Sequence, residues 1–258
     1  MNSPQWLDRL HARAQQPPAL PRQPVRHGAI ECGSIETELA RRMEAAGLPL
    51  RLEADACTLI GAPNEALAAL ARWMHAQGLG SPWRNELLAV TDAAGETHAV
   101  VERAAVRPLG IATFAVHLVG YTAGGPVWVQ QRAFDKATDP GQWDTLMGGL
   151  VSANETTAQT LARETWEEAG LRLAQLHDLA AMGRITVRRP VSDGYMVEHI
   201  EMFEARLPDG LVPLNQDGEV ARFDCVSVPT LIERLAADEF TLEATLIHAH
   251  WLRRRALL

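Results

Sequence analysis

Alternating apolar and polar side chains predict a strand and a hairpin in the middle of the chain. From Ile111 to Val119 the side chains follow the two-residue period of a β-strand. The pair Gly124-Gly125 then marks a tight turn before the apolar run 127–130. We therefore expect a β-hairpin here, followed by a loop rich in turn residues over 133–143.

The next segment has the period of an amphipathic helix. It extends from Glu155 to Ala169, with Asn154 as the candidate N-cap and Gly170 as the C-terminal stop. The side expected to face a core carries small and apolar residues: Ala158, Leu161, Ala162, Thr165 and Ala169. Further strands are expected at 185–188, 195–205 and 220–228, and closing helices at 229–237 and 242–257.

The first hundred or so residues predict a separate mixed segment. An amphipathic start is followed by four prolines within 16–24, which favour extended chain. Two helices are expected after it, at 35–46 and 64–77. A hairpin is then expected at 86–106, with its turn at 92–95. Because 107–110 has the composition of a boundary, we expect a mixed α/β leader domain over 1–107 and a second domain over 108–258.

Composition and charge narrow the classes of protein. The 258 residues are 47% hydrophobic and carry a formal net charge of −8, which argues against a nucleic-acid-binding surface. Three cysteines, far apart, are typical of reduced thiols in a cytoplasm. The start is polar and lacks a signal-peptide core, and the longest uncharged stretch, 108–131, is broken by glycines. We therefore expect a cytoplasmic protein without a membrane or nucleic-acid partner.

Candidate chemistry is concentrated in the helix that follows Gly149. Glu164, Glu167 and Glu168 stand at positions i, i+3 and i+4, so three carboxylates share one side. Such repulsion weakens a helix unless a hard cation is bound, and oxygen ligands on a rigid helix suit Mg²⁺ or Mn²⁺. Arg163 can pair with neighbouring carboxylates and hold them. The Gly148 carbonyl can approach the same metal at a glycine bend.

This spacing resembles a known family. The segment 149–171, GLVSANETTAQTLARETWEEAGL, matches the box of the Nudix hydrolase superfamily, with Thr165 as a soft departure from an aliphatic residue. The resemblance implies an α/β/α sandwich with a mixed sheet, preceded here by the small N-terminal α/β domain. It also implies Mg²⁺-dependent cleavage of a diphosphate linkage in a small molecule. By this resemblance the metal ligands would be Glu164, Glu167, Glu168 and Gly148. The supporting residues would be Glu155, Gly149 and Arg163.

A second resemblance concerns the substrate. From about residue 102 to the C-terminus, the chain is similar to Nudix enzymes related to the domain fused to fungal thiamine pyrophosphokinases, which also carry an N-terminal segment of this length. That resemblance implies action on thiamine diphosphate or its damaged and oxidised analogues. A nucleotide substrate, such as a nucleoside triphosphate or ADP-ribose, is the nearest alternative.

Several residues outside the box are candidates for catalysis or substrate binding. A water that attacks phosphorus must lose a proton, and Glu164 or Glu219 could accept it; Glu198 and Glu201 are weaker candidates. Arg132 and Lys136 could contact phosphate, although surface roles are the default. Trp143 could stack on a heterocycle or belong to the core, and Asp144 could contact substrate or end a turn.

Two other classes of Nudix-fold protein are disfavoured. Isopentenyl diphosphate isomerase shares the fold, but that resemblance implies a cysteine before the glycine turn, where this chain has Thr145-Leu146-Met147. A non-catalytic ligand sensor would be expected to lose box carboxylates, and this chain keeps all of them. The oligomeric state is left open between monomer and homodimer.

Overall fold

The N-terminal part of the chain forms a small sheet flanked by helices. A computed structural model describes residues 5–258. Four strands pair in the order β2-β1-β4-β3: β1 Arg22–His27, β2 Ile30–Glu36, β3 Leu50–Leu52 and β4 Cys57–Leu59. Two helices, α2 Thr37–Ala45 and α3 Pro63–Ala76, supply apolar side chains to their common core. The two predicted helices are thus confirmed, whereas the sequence patterns did not indicate the four strands of this sheet.

A two-stranded hairpin completes this part. Strand β5, Leu87–Thr91, pairs antiparallel with β6, Thr97–Glu102, as the pattern predicted. Asp92 Oδ1 accepts hydrogen bonds from the backbone N–H groups of Ala94 and Glu96, which closes the expected turn. The hairpin packs on α3 and carries the chain towards the larger sheet.

The second sheet is mixed and has seven strands. Its central order is β11-β12-β7-β8-β13, with β10 paired to β7 and β9 paired to β8. Strands β7 and β12 run parallel, and the other pairs run antiparallel. The bounds are β7 Ala112–Tyr121, β8 Val127–Arg132, β9 Trp143–Asp144, β10 Met147–Leu150, β11 His177–Val191, β12 Gly194–Arg206 and β13 Val220–Val226.

Helices cover both faces of this sheet. Alternate residues of β7 divide between two cores, so Val116 and Leu118 pack towards helix α4, Thr157–Ala169. Ala115 and Val119 belong to the core on the other face, which includes residues of α5 and α6. Those helices span Val228–Ala236 and Leu242–Arg254. The expected α/β/α sandwich with a mixed sheet, accompanied by an N-terminal α/β region, is confirmed.

The first helix packs on elements of the seven-stranded sheet and its helices. Helix α1, Gln5–Ala14, contacts α6 and β11, and its buried Leu7 and Leu10 join the core of the seven-stranded sheet. The amphipathic pattern at the start of the chain is explained by this packing. The division at residue 107 stays a prediction, with α1 lying against elements that follow it.

Backbone hydrogen bonds at three places connect the N-terminal part with the larger sheet and the segments beside it. The Ser34 N–H donates to Leu109 O, and the Tyr195 N–H donates to Arg107 O, at 2.8 and 2.9 Å. The Ala153 N–H donates to Leu87 O at 2.8 Å, which ties the hairpin to the segment before α4. The N-terminal part is therefore bonded directly beside the candidate site.

Some boundaries differ from the sequence prediction. Strand β11 is much longer than the predicted 185–188. Most of its additional residues are exposed, and two irregularities interrupt its pairing with β12. Such a strand has little of the alternation that sequence patterns detect. Among residues 5–258, every helix is too short or too polar to cross a bilayer.

Candidate functional site

Helix α4 begins two residues later than the pattern predicted. The N-cap is Thr156, whose hydroxyl accepts from the Gln159 N–H while the Gln159 side chain accepts from the Thr156 N–H. Asn154 is therefore not the cap, and Glu155 precedes the helix. At the other end Gly170 adopts φ +65°, as expected of a C-terminal glycine.

The buried face of α4 also differs from the predicted one. Ala158 and Ala162 are exposed, whereas Thr160 and Glu168 are buried along with Leu161. The buried side of the helix thus includes the carboxylate of Glu168. This side chain reaches the edge of the sheet and accepts hydrogen bonds from polar groups there. The prediction was therefore wrong for Ala158 and Ala162, whereas Leu161, Thr165 and Ala169 are buried as predicted.

Arg163 organises the acidic groups around it. Its Nε and Nη2 atoms donate to the two oxygens of Glu155, each at 2.8 Å, in a bidentate pair. Its Nη1 donates at 2.8 Å to Glu164 Oε1 and to Glu167 Oε2. One planar guanidinium thus holds three carboxylates, which is the supporting arrangement that the box resemblance implied.

Glu168 is a buried carboxylate that has no hydrogen bond to a cation among residues 5–258. It is 2% exposed, and its Oε2 accepts from Gln130 Nε2 and from the Gly148 N–H, both at 2.9 Å. Burial, followed by repulsion from Glu164, raises the pKa of Glu168 to about 8. Burial is also the main reason why the pKa of Glu164 rises to about 7, although Arg163 opposes the shift. These buried acids favour a bound cation.

The glycine pair makes room for side chains of the site. A Cβ atom on Gly149 would lie 2.0 Å from Cδ and Oε1 of Glu164. A Cβ atom on Gly148 would lie 2.3 Å from Cε1 of His117. Glycine is needed at both positions because the neighbouring side chains lie directly against the backbone.

A cavity of about 500 Å³ opens in front of these residues. Glu164 and Glu167 form part of one wall together with Gly148 and Gly149. Residues of β7, β12 and the start of α6 line another part, as do side chains from the N-terminal part: Arg84, Glu86, Arg103 and Arg107. Pockets of this size accommodate small organic ligands.

Most predicted residues outside the box also line this cavity. Lys136 donates to Glu219 Oε2 in a close ion pair, and Arg132 Nη1 donates to Asp144 Oδ2 at 3.2 Å. Burial alone would raise the pKa of Glu219, but the hydrogen bond and charge of Lys136, together with the charges of Arg103 and Arg132, outweigh burial, and the pKa is lowered. Asp144 is buried, and its other oxygen accepts from the Thr145 N–H. Asp144 thus orients Arg132.

Trp143 does not belong to this group. Its ring is buried in the core beneath helices α5 and α6, with the guanidinium carbons of Arg222 and Arg234 at 5.1 and 4.4 Å from its centroid. Since both cations already occupy the ring's surroundings, the predicted stacking on a heterocycle was wrong. The alternative, a core aromatic, describes its position.

Sequence reasoning missed several cavity residues. The basic side chains from 84–107 and the acid Glu243 lie far from the box along the chain and carry no motif. Glu198 was a weak candidate for the base, and it lines the cavity, whereas Glu201 pairs outside it with Arg184. The signal that could have located Glu243 is its position just after Thr241, the N-cap of α6.

The donor set of the box fits a hard divalent cation. Three carboxylates from one helix supply oxygen ligands, and Glu168 receives only neutral donors from the described chain. A tighter trio of ligand-type side chains, Asp92, Glu96 and His98, lies at the β5–β6 turn. There, Asp92 already bonds His98 at 2.8 Å and two backbone N–H groups, so that trio is accounted for by the turn.

Comparison with known families identifies the fold. The model of the NUDIX domain matches residues 112–246, more than half of the chain. A crystal structure of DR0079 from Deinococcus radiodurans aligns with a TM-score of 0.52 at 20% identity, covering 64% of this chain and 99% of that one. The chain therefore belongs to the NUDIX domain family. Membership confirms the superfamily that the box resemblance indicated.

Curated relatives extend the comparison. YJR142W, an uncharacterised protein of Saccharomyces cerevisiae, is 28% identical over 76% of this chain and 63% of its own length. Nudix hydrolase 20, chloroplastic, of Arabidopsis thaliana is 30% identical over 50% of this chain and 35% of its own length. The chain spans about half the length of the first curated relatives it matches.

One relative is named as an isomerase. The isopentenyl-diphosphate Delta-isomerase of Rhodobacter capsulatus is 30% identical over 53% of this chain and 73% of its own length. At the glycine turn this chain has Thr145-Leu146-Met147, and the Thr145 hydroxyl donates to Met147 O at 2.8 Å. The three cysteines of this chain do not line the cavity.

Proposed function

We propose that this protein is a Mg²⁺-dependent hydrolase that cleaves the diphosphate linkage of a small organic substrate. The observation that carries the proposal is the row of box carboxylates beside an open cavity. Its innermost member, Glu168, is buried without a cationic hydrogen-bond partner in the described chain. Membership of the NUDIX family supports the reaction class.

The box residues would hold the metal ion. Glu164, Glu167 and Glu168 supply carboxylate oxygens, and Gly148 lies beside them for its carbonyl to contribute. When bound, Mg²⁺ neutralises non-bridging phosphate oxygens and favours attack by water at phosphorus. Arg163 acts as a positioning residue, because its bonds to Glu155, Glu164 and Glu167 fix the ligands before substrate arrives. Mn²⁺ would suit the same oxygen donors.

Two carboxylates are candidates for accepting the proton of the attacking water. Glu164 lies on the helix against Gly149, and Glu219 lies across the cavity on the segment before β13. Glu219 is held by Lys136, so phosphate binding to that ammonium group would release the carboxylate. We assign the base to this pair, and comparison of Glu164→Gln with Glu219→Gln decides between them through their pH profiles.

Cationic side chains facing the carboxylates would bind the phosphates. Lys136 and Arg132 line the cavity from the loop after β8, and Arg103 reaches it from the N-terminal part. Arg103 is close enough to Glu219 to lower the pKa of that acid. The N-terminal part would thus contribute to substrate binding.

For the substrate, we propose thiamine diphosphate or its damaged and oxidised analogues, converted to the monophosphate and orthophosphate. The similarity of residues 102–258 to Nudix enzymes related to thiamine pyrophosphokinase supports this choice. The cavity volume of about 500 Å³ is compatible with a ligand of that size. An isomerase reaction is not proposed, because no thiol lines the cavity within the described chain.

The test is a panel of diphosphates assayed with Mg²⁺ by phosphate release. Thiamine diphosphate and its oxidised analogues are compared with ADP-ribose and nucleoside triphosphates. Glu168→Gln should lower kcat on the best substrate by about 100-fold or more, because a neutral amide cannot replace the buried ligand. The matched control is Glu233→Gln, on an exposed position of α5.

Two results would contradict parts of the proposal. Turnover of Glu168→Gln within a few-fold of wild type would remove the metal-ligand assignment. If thiamine compounds are hydrolysed more slowly than every nucleotide, the substrate proposal fails while the hydrolase proposal remains.

A further inference from the structure

Two acidic side chains lie in the cavity away from the box helix. Glu198 projects from strand β12, and Glu243 lies in the first turn of α6. Both line the same cavity as Glu164 and Glu167. The proposed reaction uses neither of them, so their presence in this cavity needs a separate explanation.

Glu243 is buried and incompletely bonded. Its side chain is 11% exposed, and its buried Oε1 has no hydrogen-bond partner among the described residues. The nearest cation is Arg189 of β11, whose Nη2 lies 3.5 Å from that oxygen. Glu198 Oε2 accepts only a neutral bond, from the Thr113 hydroxyl at 3.1 Å. A buried carboxylate normally requires full hydrogen bonding or a paired cation.

The local charge does not balance. Arg189 forms an ion pair with Glu243, whereas Glu198 of β12 and Asp139 of the loop before β9 add negative charge. Burial, followed by repulsion from Glu198, raises the pKa of Glu243 to about 7 despite Arg189. A ligand that brings positive charge would complete this part of the cavity.

The surface beside the two acids includes apolar side chains. Ala115 and Met196 line the cavity there, and Leu150 connects this region with the glycine turn. A ligand whose diphosphate lies at Glu164 would therefore extend its organic group over apolar side chains towards Glu198 and Glu243. Apolar lining with a few convergent polar groups is typical of a recognition pocket.

We propose that Glu198 and Glu243 form a recognition site for a positively charged nitrogen heterocycle carried by the diphosphate substrate. This inference rests on the proposed function, because the diphosphate must lie at the box carboxylates. Glu243 Oε1, which has an ion pair with Arg189 but no hydrogen bond among the described residues, supplies one acceptor, and Glu198 supplies the second negative charge. Neutral or anionic organic groups would leave the acceptor of Glu243 without a hydrogen bond and the charge of Glu198 without a cation, and would bind less well.

The experiment compares substrates that differ in their organic group. Thiamine diphosphate carries the cation, whereas methyl diphosphate and ADP-ribose do not. Glu198→Gln and Glu243→Gln should each lower kcat/KM for thiamine diphosphate at least tenfold, mainly through KM, and leave methyl diphosphate within twofold. Glu201→Gln, on the same strand but paired outside the cavity, is the matched control. Thermal unfolding shows whether each variant is folded, and the two variants test the site independently.

Each outcome decides the inference. Equal loss on all substrates, or no loss on thiamine diphosphate, overturns it. Hydrolysis of methyl diphosphate without hydrolysis of thiamine diphosphate overturns it too, while the hydrolase proposal survives. If the wild type hydrolyses no diphosphate, the proposed function fails, and calorimetry with thiamine itself then tests the site. Thiamine binding that is lost in Glu198→Gln and Glu243→Gln but kept in Glu201→Gln supports the site. If the wild type does not bind thiamine, or if the two variants bind it as the wild type does, the inference is overturned.

Discussion

Gly149→Ala tests whether the position of Glu164 controls activity. The backbone at Gly149 is not in the left-handed region, so alanine introduces no φ strain there. The new Cβ would instead meet the Glu164 carboxylate, 2.0 Å from both Cδ and Oε1. The substitution is therefore a steric probe of one side chain.

The required displacement follows from these distances. Ordinary contact begins at 3.4 Å, so the carboxylate must retreat by 3.4 − 2.0, or about 1.4 Å. Misplacement by about 1 Å can reduce the rate by about 100-fold, and we expect kcat to fall by that order. The carboxylate is the flexible end of its side chain, so the loss of stability should stay near the lower end of the range for overpacking, about 1 kcal/mol.

Steady-state phosphate release with Mg²⁺ measures the effect, and Mn²⁺ titration calorimetry reports the metal site separately. Gly124→Ala is the control, because its Cβ would meet only Pro126, at 3.7 Å. The reasoning is refuted if Gly149→Ala keeps kcat within threefold of wild type. A large drop in melting temperature with unchanged activity per folded molecule would refute it as well.

Three further predictions concern the supporting structure. Arg163→Lys should lower the free energy of unfolding by about 2 kcal/mol and kcat at least tenfold, because lysine cannot reproduce the planar hydrogen bonds to three carboxylates. Urea unfolding measures the first effect and steady-state kinetics the second, and wild-type values for both would contradict this prediction. Thr156→Ala should cost about 1 kcal/mol by removing the α4 cap, whereas Asn154→Ala should leave the melting temperature unchanged; equal effects would be the contrary result. Burial holds the pKa of His248 at about 4, below its ordinary 6.5, so its contribution to stability is present above pH 6.5 and is lost as pH falls towards 4. The loss amounts to about 3 kcal/mol between pH 7 and pH 4, and His248→Leu should remove it in urea titrations; an unchanged pH dependence would contradict this.

Local sequence determined the elements whose signals are short-range. The spacing of Glu164, Glu167 and Glu168 placed them on one side of a helix because helical geometry depends only on the interval between residues. The stop at Gly170 followed from its freedom to adopt positive φ. The strand pattern at 111–119 likewise depends on a two-residue period, and the structure has β7 there.

Only the tertiary structure decided which distant residues meet. Glu243 and Glu198 lie in one cavity because α6 packs over the sheet beside β12, and neither position carries a local signal. Trp143 was ambiguous because an aromatic side chain suits a core as well as a binding site, and packing resolved it. Glu168 was expected to share one side of the helix with Glu164 and Glu167, and only the approach of α4 to the Gly148 backbone decides that it is buried. Periodicity describes one element at a time, whereas burial and charge compensation depend on what the other elements bring beside it.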